Sequence, residues 1–342
     1  MGRVLLLILL VVIPVTPLRS QSTGEGAYGF LNLTSSAFLT SLGGVNVSVN
    51  RDDVSMVTAN PALLRNVSPF RPALNIVSYY GGIRYGSALL SWNRAPSLSF
   101  AAGLQYLGYG SFTAADDRGN ITGEFTAAEY AITVTGAWRI DSVFSAGVTV
   151  KPLLSALERY SSAAVAFDVG LLYKRPDNLL SAGITARNIG FQLTRYTEAR
   201  ERLPFLLTAG ITITPEHAPL RFSLTLNHLN RFRLTDAYRD EGDNREESFD
   251  GMSGVAENIM RHIVVGAELI PSSSFFLSAG LNYQRRRELS VDYRTSTVGF
   301  SAGFGILLPS FDLTYSRSRY HLAGSVNNIS LLIKPDLFNK RN

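Results

Sequence analysis

The chain has 342 residues, 32 Lys and Arg against 27 Asp and Glu, and no cysteine. Without cysteine it carries no disulfide scaffold, thiolate zinc site, cysteine nucleophile or acylated lipoprotein cysteine. A charged fraction of 17% and a mild net charge of +5, spread through segments that also carry acids, argue against a nucleic-acid surface.

Met1-Gly2-Arg3 places one positive charge ahead of an apolar run from Val4 to Ile13, and Pro14 and Pro17 break it before polar Ser20-Gln21-Ser22-Thr23. The run is too short for a spanning helix, and the order of its parts is that of a secretory signal peptide, residues 1–20. A buried N-terminal strand or helix is the alternative. The mean hydropathy of +0.10 and the lack of a second long apolar run rule out a helical membrane protein.

Residues 21–70 lack strand rhythm. They carry Phe30-Leu31-Asn32-Leu33, Leu42-Gly43-Gly44, Asp52-Asp53 and Asn60-Pro61-Ala62. Glycines permit tight turns and Asn-Pro favours turn initiation, so the stretch is expected to fold as a hatch or plug inside a barrel, or else as a periplasmic extension.

From about Arg71 to Lys334 apolar and small polar residues alternate, which means strands. Leu98, Phe100, Ala102, Leu104 and Tyr106 oppose Ser97, Ser99, Ala101, Gly103 and Gln105. Phe275, Leu277, Ala279, Leu281 and Tyr283 oppose Phe276, Ser278, Gly280, Asn282 and Gln284, and Val298, Phe300, Ala302, Phe304 and Ile306 oppose Thr297, Gly299, Ser301, Gly303 and Gly305. The polar face holds Ser, Gly, Thr, Asn and Gln with few charges. That suits a narrow lumen, whereas a soluble sandwich turns Lys, Glu and Arg outward.

Fourteen strands are expected, centred near Ile76, Ala88, Ala102, Thr133, Gly147, Phe167, Ile184, Gly210, Leu224, Gly266, Ala279, Ala302, Leu313 and Val326. Connections after even strands read as short turns. Those after odd strands are mostly long: 107–124, 153–158, 189–203, 231–261 and 285–294. This parity is the outer-membrane pattern, with turns periplasmic and loops outside. The expected fold is therefore an all-β, 14-stranded antiparallel transmembrane barrel over residues 71–334, with both termini periplasmic and a tail at 335–342.

The string Leu42-Gly43-Gly44, Asp52-Asp53, Asn60-Pro61-Ala62 resembles the hatch of the long-chain fatty-acid transporter (FadL-like) barrels. With Phe30 to Leu33, Gly82 to Gly86, Gly103 to Gly110, Glu124-Phe125, Arg202-Leu203-Pro204 and Arg261-His262, it is similar to the PorQ and PorV type of barrel in the type IX secretion system. That resemblance implies a non-enzymatic outer-membrane component docking surface partners for cargo release and attachment. The implied partners are a PorZ-like surface protein, the sortase-like PorU and the barrel PorV. A transporter of hydrophobic small molecules is the alternative, with Phe191, Phe276 and Leu307 on otherwise polar faces as hints of a pocket.

The long loop from Arg231 to Arg261 is the expected docking surface, with Tyr238, Asp240, Asp243, Phe249 and Met252 as contact residues. Its acids do not match a calcium-binding loop. His217 falls in a turn, whereas His228, His262 and His321 fall near the outer rim without triad spacing. No catalytic residue, metal site or cofactor is expected. Outer-membrane lipid and lipopolysaccharide are expected contacts, with Arg285-Arg286-Arg287 a candidate phosphate grip.

Overall fold

The computed structural model describes residues 27–95, 97–196, 200–234, 252–288, 297–321 and 324–335. Fourteen strands run in chain order: β1 (Pro72–Ser78), β2 (Arg84–Ala95), β3 (Leu98–Ala115), β4 (Ile121–Arg139), β5 (Phe144–Leu157), β6 (Tyr160–Lys174), β7 (Leu180–Thr194), β8 (Leu206–Ile213), β9 (Leu220–Leu226), β10 (Ile263–Ser272), β11 (Phe275–Asn282), β12 (Phe300–Leu307), β13 (Phe311–His321) and β14 (Gly324–Ile333). Each pairs antiparallel with its sequence neighbours, and β1 pairs with β14 to close the barrel. All fourteen expected centres fall within these strands.

Alternation sets the two faces of the wall. On β1, Leu74 and Ile76 are 47% and 55% exposed while Asn75 between them is fully buried. The same inversion runs round the barrel: Leu104, Ile132, Val169, Ile184, Phe222, Leu277 and Phe304 face out, and Ser87, Thr133, Asp168, Thr185, Ser278 and Ser316 face in. An apolar exterior over a polar, hydrogen-bonded interior is stable against hydrocarbon and unfavourable in water, so the barrel is a membrane-spanning one. Trp92 stacks with Phe100, and Phe144 packs on Tyr173, near the rim formed by the turns after even strands. Aromatic residues with a polar edge suit such an interface.

Two expected loops are strand instead. The 107–124 segment belongs to β3 and β4, which run 18 and 19 residues and leave only 116–120 as a turn. The roughly 10 residues that suffice to cross a bilayer are exceeded, so this hairpin stands above the rest of its rim. Phe112 and Phe125 stack across it at 5.2 Å. The 153–158 segment belongs to β5 and β6, joined by Glu158-Arg159 alone. Past Thr149 the alternation holds, Lys151 turning inward to a partner and Pro152 outward, so the strand continues. Val298, expected on the outer face, is fully buried, and Tyr283 opens a helix rather than extending β11.

The opposite rim, at the ends of odd strands, carries the three long connections, 195–205, 227–262 and 283–299. Two helices lie there over the shorter strands: α2 (Met252–Arg261) and α3 (Tyr283–Glu288). Glu257 ties them together, accepting from Tyr283 Oη at 2.8 Å and Arg287 Nε at 2.6 Å.

Residues 27–70 lie within the barrel and touch its wall on almost every side. They form the helix α1 (Ala37–Ser41) and 3₁₀ turns at Gly29–Asn32, Val54–Thr58 and Pro61–Asn66. Ala27, Tyr28, Phe30 and Leu31 pack with Val77, Tyr85, Leu107 and Leu203 near the loop rim. Val54, Val57, Leu64 and Val67 pack with Ala73, Leu89, Ala137 and Leu332 near the turn rim. The segment thus descends the lumen before entering β1. Its first described residues and the end of β14 lie at opposite ends of the barrel.

Candidate functional site

The wall holds the luminal segment through inward hydroxyls and amides. Ser41 Oγ accepts from Ser278 Oγ at 2.7 Å, Ser41 O from Ser301 Oγ at 3.0 Å, and Ser330 Oγ from the Ala37 amide at 2.8 Å. Asn328 Nδ2 donates to Thr40 Oγ1, and Ser48 and Thr212 share a hydroxyl bond at 2.8 Å. Every polar group removed from water needs such a partner, which is why the inward face is small and hydroxyl-rich.

Each residue of the expected hatch motif has a structural task. Gly43 and Gly44 take φ of +95° and +91° at the end of α1, and the Gly44 amide reaches back to Leu39 O at 2.9 Å. This is the left-handed helix stop that glycine favours. Asp52 accepts from the Ser68 amide at 2.7 Å and Ser68 Oγ at 2.8 Å, and pairs with Arg71 at 3.3 Å. Asp53 caps the second 3₁₀ turn by accepting from the Ser55 amide at 2.8 Å. Asn60 is fully buried: its Oδ1 accepts from the Ala62 amide, and its Nδ2 donates to Val47 O and to Leu171 O of β6. Beneath it, Gly147 and Gly170 pair across β5 and β6. A Cβ on Gly170 would fall 2.0 Å from Asn60 Oδ1, and one on Gly147 2.5 Å from the Pro61 carbonyl carbon. The motif therefore holds the segment's own turns and presses Asn60-Pro61 onto a bare patch of wall.

Charged side chains also meet within the lumen. Lys151 and Asp168, with side chains 5% and 3% exposed, pair at 2.7 Å. Lys151 also donates to Asn188 Oδ1, and the Asn188 amide donates to Asp168 at 2.8 Å. Asn188 Nδ2 then reaches Asn32 Oδ1 of the luminal segment and Pro204 O of the β7–β8 connection. Nearer the turn rim, the Arg51 guanidinium sits 4.3 Å and 4.2 Å from the ring centres of Phe38 and Phe276. Phe276 is thus an aromatic partner for the luminal segment, and Leu307 packs against the same cluster. Phe191 is 47% exposed, and Arg200 lies over its ring at 6.0 Å.

A cavity of about 400 Å³ opens between the start of the luminal segment and the wall at the loop rim. It is lined by Ala27, Tyr28, Gly29, Tyr109, Glu129, Leu157, Tyr160, Tyr196 and Glu201. Tyr109 Oη donates to Glu129 Oε2 at 2.6 Å, Tyr28 Oη donates to Ser162 Oγ at 2.9 Å, and the Tyr28 and Tyr196 rings lie 6.4 Å apart. Tyr109 stands at a bulge where β3 spends one residue more than β4, with Gly110 at φ +88°. None of these residues was singled out from sequence. The available signal was Glu129, an acid at an inward strand position where small neutral residues prevail.

Of the expected docking residues, Tyr238, Asp240, Asp243 and Phe249 lie outside the described residues, as does the side chain of Met252, which opens α2. On α2, Val255, Ile259 and Met260 are exposed, as is Phe232 nearby. His262 Nδ1 lies 2.7 Å from Asn227 O. His228 has its pKa lowered to about 4 by burial, then by Arg231, His262 and Arg187. The side chain of His321 lies outside the described residues. Among the described residues no group of three or more His, Asp or Glu is placed to hold a metal.

No family model matches the chain, and no curated protein matches it. Solved structures do. The Pseudomonas putida toluene transporter TodX superposes with a TM-score of 0.50 at 13% identity, covering 88% of this chain and 97% of TodX. A FadL homologue from Pseudomonas aeruginosa gives 0.51 at 11% identity, covering 88% and 98%. A TodX mutant described as a monoaromatic hydrocarbon channel gives 0.51 at 14% identity, covering 88% and 98%. The shared feature is the fold, a 14-stranded barrel of the FadL type.

Proposed function

We propose that this chain is a non-enzymatic outer-membrane channel that passes small hydrophobic molecules, with its long connections at the cell surface. The observation that carries the reading is the rim cavity, an aromatic-lined space between an internal chain segment and the wall of an otherwise filled, apolar-skinned barrel. A pocket of this size, with aromatic rings and a few placed polar groups, suits a small ligand. Its structural neighbours, a toluene transporter and a monoaromatic hydrocarbon channel, support the same reading. The luminal segment then acts as the plug that keeps water and ions from leaking through.

The test is uptake of radiolabelled toluene by cells that carry the chain in an outer membrane otherwise lacking such channels. Uptake several-fold above the empty-vector strain is expected, and equal uptake would sink the reading.

A second reading keeps the barrel as a docking component of type IX secretion, with PorZ-, PorU- and PorV-like partners. It is favoured by the exposed Val255, Ile259 and Met260 of α2, an apolar strip on the rim. Capture of such partners from solubilised membrane, lost on Ile259→Asp, is its expected signature; recovery of the barrel alone would remove it.

A further inference from the structure

We propose that the rim cavity selects organic ammonium ions, so that the molecules entering this barrel are amines or quaternary ammonium compounds with a hydrocarbon part. The inference rests on the channel reading and adds a charge preference to it. Four of the nine lining residues are tyrosines and two are glutamates, with no lysine or arginine among them. Tyrosine faces are electron-rich and attract a cation lying over the ring.

Glu129 is 3% exposed and accepts from Tyr109 Oη at 2.6 Å, and none of the residues that line the cavity with it is basic. A buried carboxylate without a cation is costly, and an incoming ammonium relieves that cost where a neutral guest does not. Glu201 adds a second carboxylate from the β7–β8 connection, at the exposed mouth of the cavity. A fatty-acid headgroup entering here would meet two like charges. A metal ion is a poor fit, because calcium takes six to eight oxygen ligands and the cavity offers two carboxylates.

Ala27, Leu157 and the tyrosine rings supply an apolar surface for the remainder of the guest. The volume of about 400 Å³ accommodates a substituted aromatic ring.

The experiment uses the full chain purified in a maltoside detergent, since choline-headed detergents would themselves compete. Binding of benzyltrimethylammonium is titrated calorimetrically at pH 7, beside 3-phenylpropionate as the anion and calcium chloride as a metal probe. The ammonium is expected to bind and the anion not to. Glu129→Gln, which preserves the acceptor for Tyr109, should weaken ammonium binding about ten-fold, and Tyr196→Leu and Glu201→Gln about three- to ten-fold each. Retention of heat-modifiable migration shows that each variant is folded.

Absence of ammonium binding, equal binding by Glu129→Gln, preferential binding of the anion, or displacement by micromolar calcium would each overturn the proposal. If toluene uptake persists while the ammonium does not bind, the ammonium proposal fails and the channel reading stands. Ammonium binding that responds to Glu129→Gln, in a chain that moves no toluene, supports the site and counts against the channel for neutral guests.

Discussion

The Lys151–Asp168 pair provides a direct test of how dry the lumen is. Both side chains are almost wholly enclosed, at 5% and 3% exposure, and lie 2.7 Å apart. In such a setting Lys151→Met removes the direct ion-pair partner of Asp168 and leaves Arg187 of the same pocket as the nearest other cation, a loss of up to about 3–5 kcal/mol. Asp168→Asn strands the ammonium in the same way and should cost a similar amount. The double variant Lys151→Met/Asp168→Asn removes both charges yet keeps an oxygen to accept from the Asn188 amide. Its new amide donor faces Asn188 Oδ1, which Lys151 has vacated. It should therefore lie at least about 2 kcal/mol above either single variant. The assay is urea unfolding of the barrel refolded into lipid vesicles, followed by the fluorescence of its two tryptophans, Trp92 and Trp138. Singles within about 1 kcal/mol of wild type, or a double no better than the singles, would show that water reaches the pair and that the lumen is not sealed there.

Gly170→Ala places a methyl carbon 2.0 Å from Asn60 Oδ1, so the urea midpoint should fall by the equivalent of about 1–3 kcal/mol; an unchanged midpoint would show that Asn60-Pro61 does not rest on the wall. The chain has no native cysteine, so Ser41→Cys/Ser278→Cys introduces a single possible bridge where the two hydroxyls now lie 2.7 Å apart. Oxidation should pin the segment and raise the midpoint, with toluene uptake falling and returning on reduction; undiminished uptake in the bridged form would place the path elsewhere. His228, with its pKa lowered to about 4, stays neutral in the folded protein while an unfolded imidazole binds a proton below about 6.5. Its contribution is therefore whole above pH 6.5 and is lost as pH falls towards 4, with a ceiling of about 3 kcal/mol. His228→Asn, which tolerates the φ of +57°, should lose less stability over that window than wild type; parallel losses would show that His228 is not the group responsible.

The strands were legible because the alternation reports the environment directly: Leu74 and Ile76 outside and Asn75 inside follow from period two alone. Strand height was not. The stretch from Ser111 to Ala115, with Phe112 its one large apolar residue, carries little amphipathic contrast, since both faces of a hairpin standing above the membrane are wet. The Lys151–Asp168 pair was hidden for another reason. Its members lie 17 residues apart and meet diagonally, because Lys151 faces Ala166 and Thr149 faces Asp168, a fact of register rather than of spacing. The rim cavity unites Tyr28, Glu129 and Glu201 from three distant parts of the chain, and no local pattern links them. Gly43, Gly44, Asp52, Asp53, Asn60 and Pro61 were visible as a motif, but their tasks as helix stop, carboxylate acceptors and turn cap emerge only from their partners.

The luminal segment also constrains the order in which the molecule is made. Ser41 meets Ser278 and Ser301, and Ala37 meets Ser330, across 237, 260 and 293 residues of chain. Relative to a hairpin of about 15 residues, such a span is about four doublings of loop length, or about 2.4 kcal/mol of closure entropy. Contacts of this kind form late. The earliest-synthesised part of the described chain is therefore among the last to settle, and its hydroxyls wait in water while the wall is built. A fragment ending before Phe275 keeps ten of the strands yet lacks the wall hydroxyls that hold Ser41, so this part of the luminal segment has no seat until the final quarter of the chain arrives.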